Sequence, residues 1–546
     1  MSEALLPDDV GGVIAAARRK RGLTQRDLAA AVGAPAYVVE RLERGDERHP
    51  EFRARIEALM ELRLPEARAT GPTRSSTSRD AVNWVRTGIS SSTFPVVAAI
   101  GALVLVRFFT EVIPTVPRAA NFIDIPIFFT LSAIAIARPR SEPGGWYMGV
   151  AGYVMPFLLI AAVSTTWSLQ RVAPAPVLVF LYDFLAPFAI YAAVYRIWPA
   201  GSAFTLSRTL VVLGLIQFAV VALVDLPRFA TSRNPDDVGG TFGTNAYQLA
   251  FFLLIFVALL VGIATFEPGR TIARFAPLLI IGAFATILLA QYRALLVGLA
   301  IAALTISLLL GGRVRGFAIT GFAIASFVIV FSYVARDLPV LKLNGAASSL
   351  AANPGTYVSG RWGVARTVFR MYGDIPSAIA VGTGPGTYSS RAWQTFSQAG
   401  SNSASNVAGS YALKFTGGKP YSTDVSRKYV DPQLQQGIIV QGSHAVSTPY
   451  SSYTSLLAEV GVIGFALIAL AYLIGVRRAW GMARAALRSP VRGDPLPAIT
   501  LATVVAVVTL IQLALLENWF EVTRASFITW ALLAVSAKEL DARVGS

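Results

Sequence analysis

Thr244-Asn-Ala-Tyr-Gln-Leu-Ala-Phe-Phe-Leu-Leu-Ile-Phe-Val-Ala-Leu-Leu-Val-Gly-Ile-Ala-Thr-Phe266 contains no charged side chain. It has the length of about 20 apolar residues that a helix needs to cross the hydrocarbon of a bilayer. Inside lipid the backbone must satisfy its own hydrogen bonds, so such a stretch reads as a transmembrane helix. Outward from it, comparable runs lie near 93–113, 120–137, 146–168, 175–196, 205–226, 272–291, 294–311, 316–335, 452–475, 496–516 and 520–537. The expected fold is therefore all-α, a polytopic membrane protein with about 12 spans. Composition agrees: of 546 residues, 54% are hydrophobic and 14% charged, with a mean hydropathy of +0.57. Three or four soluble domains of this total length are excluded, because too little polar surface exists to keep them in water.

The net charge of +16 would suggest a nucleic-acid binder in a soluble protein. Here most of the excess lies in turns between apolar runs, where it sets topology. Placing the N-terminus inside puts Arg138, Arg140, Arg196, Arg270, Arg274, Arg313, Arg315 and the cluster Arg477, Arg478, Arg484, Arg488 and Arg492 in the cytoplasm. The expected location is the cytoplasmic (inner) membrane, multi-pass, with both termini cytoplasmic. With no cysteine, disulfides, thiolate metal sites and a cysteine nucleophile are excluded. His49 and His444 are too few for a histidine-rich metal site.

The chain divides into five regions. Residues 1–65 are charged, nearly balanced in sign, and carry short helices punctuated by Gly22, Gly33 and Gly45. Residues 66–92 are a linker rich in Thr, Ser, Arg and Pro, with an interfacial helix near Trp84 as a further possibility. Spans 1–9 occupy 93–335 and spans 10–12 occupy 451–546. Between them, residues 336–450 form a large extracytoplasmic loop, far longer than the 2–8 residues usual between bundled helices. The stretch from Ser397 to Ser410 reads as a mobile insertion within it.

In the first region, Ile14 to Gly33 followed by Tyr37 to Gly45 resembles the Cro/repressor-type helix-turn-helix family. Leu23 to Ala31 is the expected first helix of the motif, Ala29 the small residue at the helix crossing, and Ala36 to Arg44 the recognition helix. The resemblance implies DNA as a partner. The recognition helix, however, offers Ala34, Ala36 and Tyr37 where base readers usually place polar side chains, so a cytoplasmic protein partner is the alternative.

In the membrane region several polar motifs sit near the outer ends of spans. They are Gly240-Thr-Phe-Gly-Thr-Asn245, with Asn245 placed to cap a helix; Arg293 in a tight turn between two spans; Ser359-Gly-Arg361, opening an amphipathic stretch to Tyr372; Gly382-Thr-Gly-Pro-Gly386, whose backbone N–H groups could face an anion; and Ala458-Glu-Val-Gly461-Val-Ile-Gly464. Asp236-Asp237 reads as a solvated turn or, less readily, a cation site. In this order and spacing the motifs, spread over about 205–475, resemble the O-antigen ligase and polymerase superfamily. The resemblance implies metal-independent, cofactor-free transfer of a saccharide from a polyprenyl-diphosphate carrier to an acceptor glycan or protein, on the outer face of the bilayer.

It also implies roles. Arg293 and Arg361 fall where the family has two arginines proposed to hold the lipid diphosphate, and a guanidinium suits that ligand as a permanent, bidentate cation. The family's histidine position is occupied by Tyr450. A phenol with a pKa near ~10 is a poor base at neutral pH. His444, six residues earlier, is the other candidate for attending the acceptor. A different class of function stays open: a membrane-anchored sensor or regulator that binds a ligand outside and responds through the helix-turn-helix inside. A lipid-linked glycan transporter should show internal repeats, and none is visible in the sequence.

Overall fold

The computed structural model describes residues 10–32, 34, 36–43, 56, 59, 93–113, 115–138, 145–168, 172–232, 237–290, 293–310, 354–397, 421–432, 451–488, 490 and 493–544. Among these, every regular element is helical. The chain divides into two compact units, residues 1–88 with 539–546, and residues 89–538.

The first unit contains α1 (Val10–Lys20), α2 (Gln25–Val32) and α3 (Ala36–Glu43). Ile14, Leu28, Ala29, Val32, Val38, Val39, Leu42 and Ile56 form its core. Asp27 accepts hydrogen bonds from the backbone and hydroxyl of Thr24, which closes the N-terminus of α2 and holds the Asp27 carboxyl below its usual range. Arg18 on α1 reaches Glu43 on α3 at 2.6 Å, and Gln25 reaches the same carboxylate at 2.6 Å. Gly33, Gly45 and the linker with Trp84 lie outside the described residues.

The second unit is a helical bundle. Its first part is α4 (Phe94–Val112), α5 (Asp124–Ala137), α6 (Gly145–Trp167), α7 (Pro174–Ile197), α8 (Ala203–Ser232), α9 (Ala246–Phe266), α10 (Thr271–Leu289) and α11 (Arg293–Leu310). After these come α12 (Pro354–Asp374), α13 (Ala378–Val381), α14 (Arg391–Phe396), α15 (Ser452–Arg488), α16 (Leu496–Leu516) and α17 (Thr523–Val544). Among the described residues, eight helices are long and apolar enough to cross a membrane: α4, the stretch Ala119–Ala137 that contains α5, α7, α8, α9, α10, α15 and α16. The expected spans near 146–168 and 294–311 coincide with α6 and α11, whose fully described parts, Val154–Trp167 and Ala300–Leu309, are shorter apolar helices; 520–537 coincides with α17, which is not in that set, and 316–335 lies outside the described residues.

Burial separates centre from rim. The apolar windows of α9 and α16 are 83% and 72% buried, those of α4 and α5 only 28% and 22%. A helix apolar on every side can be a bundle core or face lipid, and α9 and α16 are the core. They approach closely because Gly262 leaves no room for a side chain: a Cβ there would lie 2.4 Å from the Cα of Ala498. Exposed Phe129, Ile136, Leu223, Leu278 and Leu308 present an apolar rim suited to lipid. Helix α17 is a buried element rather than a lipid-facing one: Phe527, Trp530, Leu532, Leu533 and Val535 are all enclosed.

The region expected to be one long loop is partly a folded subdomain. Val364, Val368, Met371 and Tyr372 of α12 pack with Tyr388, Trp393, Val425, Tyr429, Val430 and Ala458 in a common core. Asp374 at the end of α12 accepts from Tyr429 at 2.7 Å and pairs with Lys428 at 2.8 Å, which holds its carboxyl below the usual range. Of the expected mobile insertion only Ser397 is described; it is buried and donates to the Gln394 carbonyl.

Candidate functional site

The glycine-rich turn does bind an anion, and the anion belongs to the protein. Glu459 on α15 is fully buried. Its carboxylate accepts the backbone N–H of Gly386 at 2.5 Å and those of Tyr388, Ser389 and Ser390 at 3.0 Å each. Thr383 and Gly384 donate their N–H groups to the carbonyls of Ala458 and Glu459 at 2.9 and 3.0 Å. Sequence permits this because α15 kinks at Gly461, whose φ of +69° L side chains rarely adopt. A Cβ there would lie 2.4 Å from the Ala380 carbonyl. Of the stretch Gly382 to Gly386, expected as one whose N–H groups could face an anion, only Gly386 donates to the Glu459 carboxyl; Tyr388, Ser389 and Ser390, which follow it, supply the other three N–H groups of the clamp.

The clamp fixes the start of α14. Ser390 caps this helix by accepting from the Trp393 N–H, and Arg391 is its first residue. The N–H of Arg391 donates to the Glu521 carboxylate, and its guanidinium donates to the Glu521 carbonyl at 2.6 Å. Asn518 donates its amide to the Ser389 carbonyl at 3.1 Å. The segment 517–521, between α16 and α17, also touches the start of α15. Ser452 N–H donates to the Glu517 carbonyl at 3.2 Å, and the Phe520 N–H donates to Ser452 Oγ at 3.1 Å. Aromatic packing holds this segment: Phe520 stacks on Tyr472 at 3.9 Å between ring centroids, and Trp519 packs on Phe251 and Tyr247.

Further polar groups gather at the same end of the bundle. Arg524, at the start of α17, donates to the Asn121 carbonyl at 2.8 Å just before α5. Tyr182 of α7 donates to Asp124 at 3.1 Å. Arg107 of α4 pairs with Glu111 at 2.9 Å and donates to Thr244 Oγ1 at 3.2 Å. Arg391 is half-buried; desolvation opposes its charge, but Asp183, Tyr247, Asp124 and Glu521 around it outweigh that and hold its pKa above the ordinary value.

This hub is under-satisfied. Among the described residues, Asp183 Oδ2, Asn518 Oδ1, Glu521 Oε1 and Arg524 Nη1 are buried with no hydrogen-bond partner. Buried polar atoms are paired in the large majority of cases, so four such atoms on connected residues call for an explanation. A cluster that is both charged and incompletely bonded can serve as a site for a polar ligand.

The residues expected from sequence are placed unevenly. Arg293 is the first residue of α11, rather than lying in a turn. Arg361 lies on α12, whose start at Pro354 precedes the expected Ser359. The side chains of both, together with His444 and Tyr450, lie outside the described residues. Asn245 occupies the residue before α9 but does not cap it with its side chain, which donates instead to the Phe242 carbonyl at 3.2 Å. Asp237 accepts from Ser232 and lines a small cleft with Glu111, Asp225, Arg228 and Thr244, while Asp236 lies outside the described residues. Sequence reasoning missed Asp183, Arg391, Asn518, Glu521 and Arg524. The available signal was the polar interruption Glu517-Asn518-Trp-Phe-Glu521-Val-Thr-Arg524 between two apolar runs.

The chain matches no protein-family model and no curated protein.

Proposed function

We propose that this is a multi-spanning glycosyltransferase of the O-antigen ligase and polymerase type. It takes a saccharide from a polyprenyl-diphosphate carrier that enters from the bilayer and passes it to an acceptor glycan or protein outside. The observation that carries this reading is the under-bonded charged hub at one end of the bundle. The Arg/Lys bias of the sequence assigns that end to the outer face of the cytoplasmic membrane, with about 12 spans and both termini inside. An acceptor hydroxyl attacks the anomeric carbon and the lipid diphosphate departs. Arg293 and Arg361 hold the leaving group, where negative charge develops, and His444 or Tyr450 orients the acceptor.

The test is transfer by the purified protein in liposomes, using lipid-linked glycans extracted from the producing cells. Arg293→Lys and Arg361→Lys conserve charge but lose the planar fork. Each should slow transfer by on the order of 100-fold, and the double variant should fall short of the product of the two. Near-normal turnover in both, with matched folding, returns these arginines to interfacial anchors.

A second reading is favoured by the separate N-terminal unit: a sensor whose helix-turn-helix-like module contacts DNA or a cytoplasmic protein. Absence of transfer in the purified system, together with promoter occupancy in cells that depends on residues 1–65, selects it.

A further inference from the structure

Helix α12 has one face that its own subdomain uses and one that nothing among the described residues covers. Val364, Val368, Met371 and Tyr372 are buried in the common core with Tyr388 and Trp393. On the other side Trp362 is 60% exposed and Phe369 65%, and Arg366 and Arg370 are exposed as well. At about 100° per residue, the two rings lie roughly 20° apart around the helix axis, with the two arginines about 40° and 80° to one side of Trp362. The helix thus carries an aromatic stripe flanked by a basic one, away from its core.

Position and composition together say what this face meets. Tyr372 donates its hydroxyl to the Leu457 carbonyl of α15 at 2.7 Å. Ala380 of α13 lies so close to Gly461 that a Cβ on that glycine would sit 2.4 Å from the Ala380 carbonyl, and its neighbour Ile379 is exposed. The next residues of α15, Val462 and Ile463, are the first exposed side chains on that helix, which is long and apolar enough to cross a membrane. From Leu457 to Val462 is only about 8 Å of helix. The end of α12 therefore stands where α15 begins to offer apolar side chains to lipid. With four charged residues among 21, α12 itself is too polar to span. Trp favours the boundary between hydrocarbon and headgroups, and helices lying in that plane combine aromatic side chains with Lys or Arg. Asp374 is the one acidic residue of α12, and Lys428 pairs with it, so the exposed arginines leave this face net positive.

We propose that α12 lies in the membrane interface and binds anionic phospholipid headgroups. Trp362 and Phe369 enter the acyl layer just below the headgroups, and Arg366 and Arg370 meet the phosphates. The contact uses none of the residues assigned to glycan transfer and stands without that reading.

The chain has no cysteine, so Phe369→Cys gives a single site for a bimane label in the full-length protein. The labelled protein is reconstituted in liposomes of phosphatidylcholine and phosphatidylglycerol in equal parts, with one lipid or the other brominated on its acyl chain. Both brominated lipids should quench the label, phosphatidylglycerol by at least about twofold more. With Arg366→Gln and Arg370→Gln added, that ratio should fall to about one. No quenching by either lipid, with aqueous iodide quenching instead, overturns the interfacial placement. Protection from lipid and iodide alike means that a protein covers the face, which overturns it too. Equal quenching by the two lipids with both arginines present overturns the headgroup contact. If labelled Phe369→Cys does not fold, Trp362→Cys carries the same comparison.

Discussion

Glu459 and Glu521 are both carboxylates with no solvent exposure, at the same end of one bundle, yet their surroundings are opposite. Glu459 is enclosed by a turn whose glycines bring four N–H groups onto it. Glu521 keeps an oxygen without a partner, beside an arginine and an asparagine with unpaired atoms of their own among the described residues. Full bonding of a buried anion fixes one backbone arrangement. Incomplete bonding is retained in a fold only against a stability cost, and sites that act on ligands are where that cost is commonly met. Both carboxylates bond to one short length of chain, Ser389 to Arg391, so the satisfied one positions the unsatisfied one.

The largest effect should come from breaking the satisfied side. Glu459→Ala leaves four N–H groups without an acceptor in a closed space, and should destabilise the folded protein by roughly 3–5 kcal/mol, measured by thermal unfolding in detergent. Next is the backbone that lets the turn close. Gly461→Ala forces a Cβ at positive φ against the Ala380 carbonyl and should cost about 1–3 kcal/mol in the same assay. On the unsatisfied side the pattern should invert. Asp183→Asn removes a buried charge that lacks a full set of partners, so stability should change by less than about 1 kcal/mol, or rise, while transfer falls.

The smallest effect tests a middle case in the N-terminal unit. Burial pushes the Glu43 carboxyl up, but hydrogen bonds and charge from Arg18, with a bond from Gln25, prevail and leave it below the ordinary value. A carboxyl so lowered contributes stability that is present above the unfolded value near ~4.3 and is lost as pH falls through the folded one. The protection of α1 and α3 amides against hydrogen exchange in the intact protein, taken relative to the intrinsic rate at each pH, should therefore fall on acidification below that value. In Arg18→Ala, which should cost about 1 kcal/mol or less, this acid sensitivity should shrink.

The eight long apolar helices among the described residues were legible in the sequence because hydropathy is a local signal: Thr244 to Phe266 announces α9 without reference to any partner. Helix ends at Ile197, Phe266 and Leu516 fall close to the apolar limits for the same reason. The hub was not legible. Asp183, Arg391, Asn518, Glu521 and Arg524 come from separate stretches of chain, and each alone looks like an ordinary charge or amide near an interface. Only the folded chain joins them, through Arg391 on Glu521 and Asn518 on Ser389. The glycine-rich turn was read as able to face an anion, but only its Gly386 N–H reaches the Glu459 carboxyl, and that partner could not be named because it lies more than seventy residues away.

One buried carboxylate is fully bonded and holds the fold, while the other belongs to the under-bonded hub proposed as the site. Glu459→Gln and Glu521→Gln, measured side by side for thermal stability and for glycan transfer in liposomes, put that division to its sharpest test. Glu459→Gln should lower the unfolding temperature. Glu521→Gln, which keeps an oxygen to accept the Arg391 N–H, should unfold near the wild-type temperature with transfer reduced, because it alters the under-bonded hub. A Glu521→Gln protein that unfolds early but transfers normally, or a Glu459→Gln protein as stable as wild type, contradicts the division.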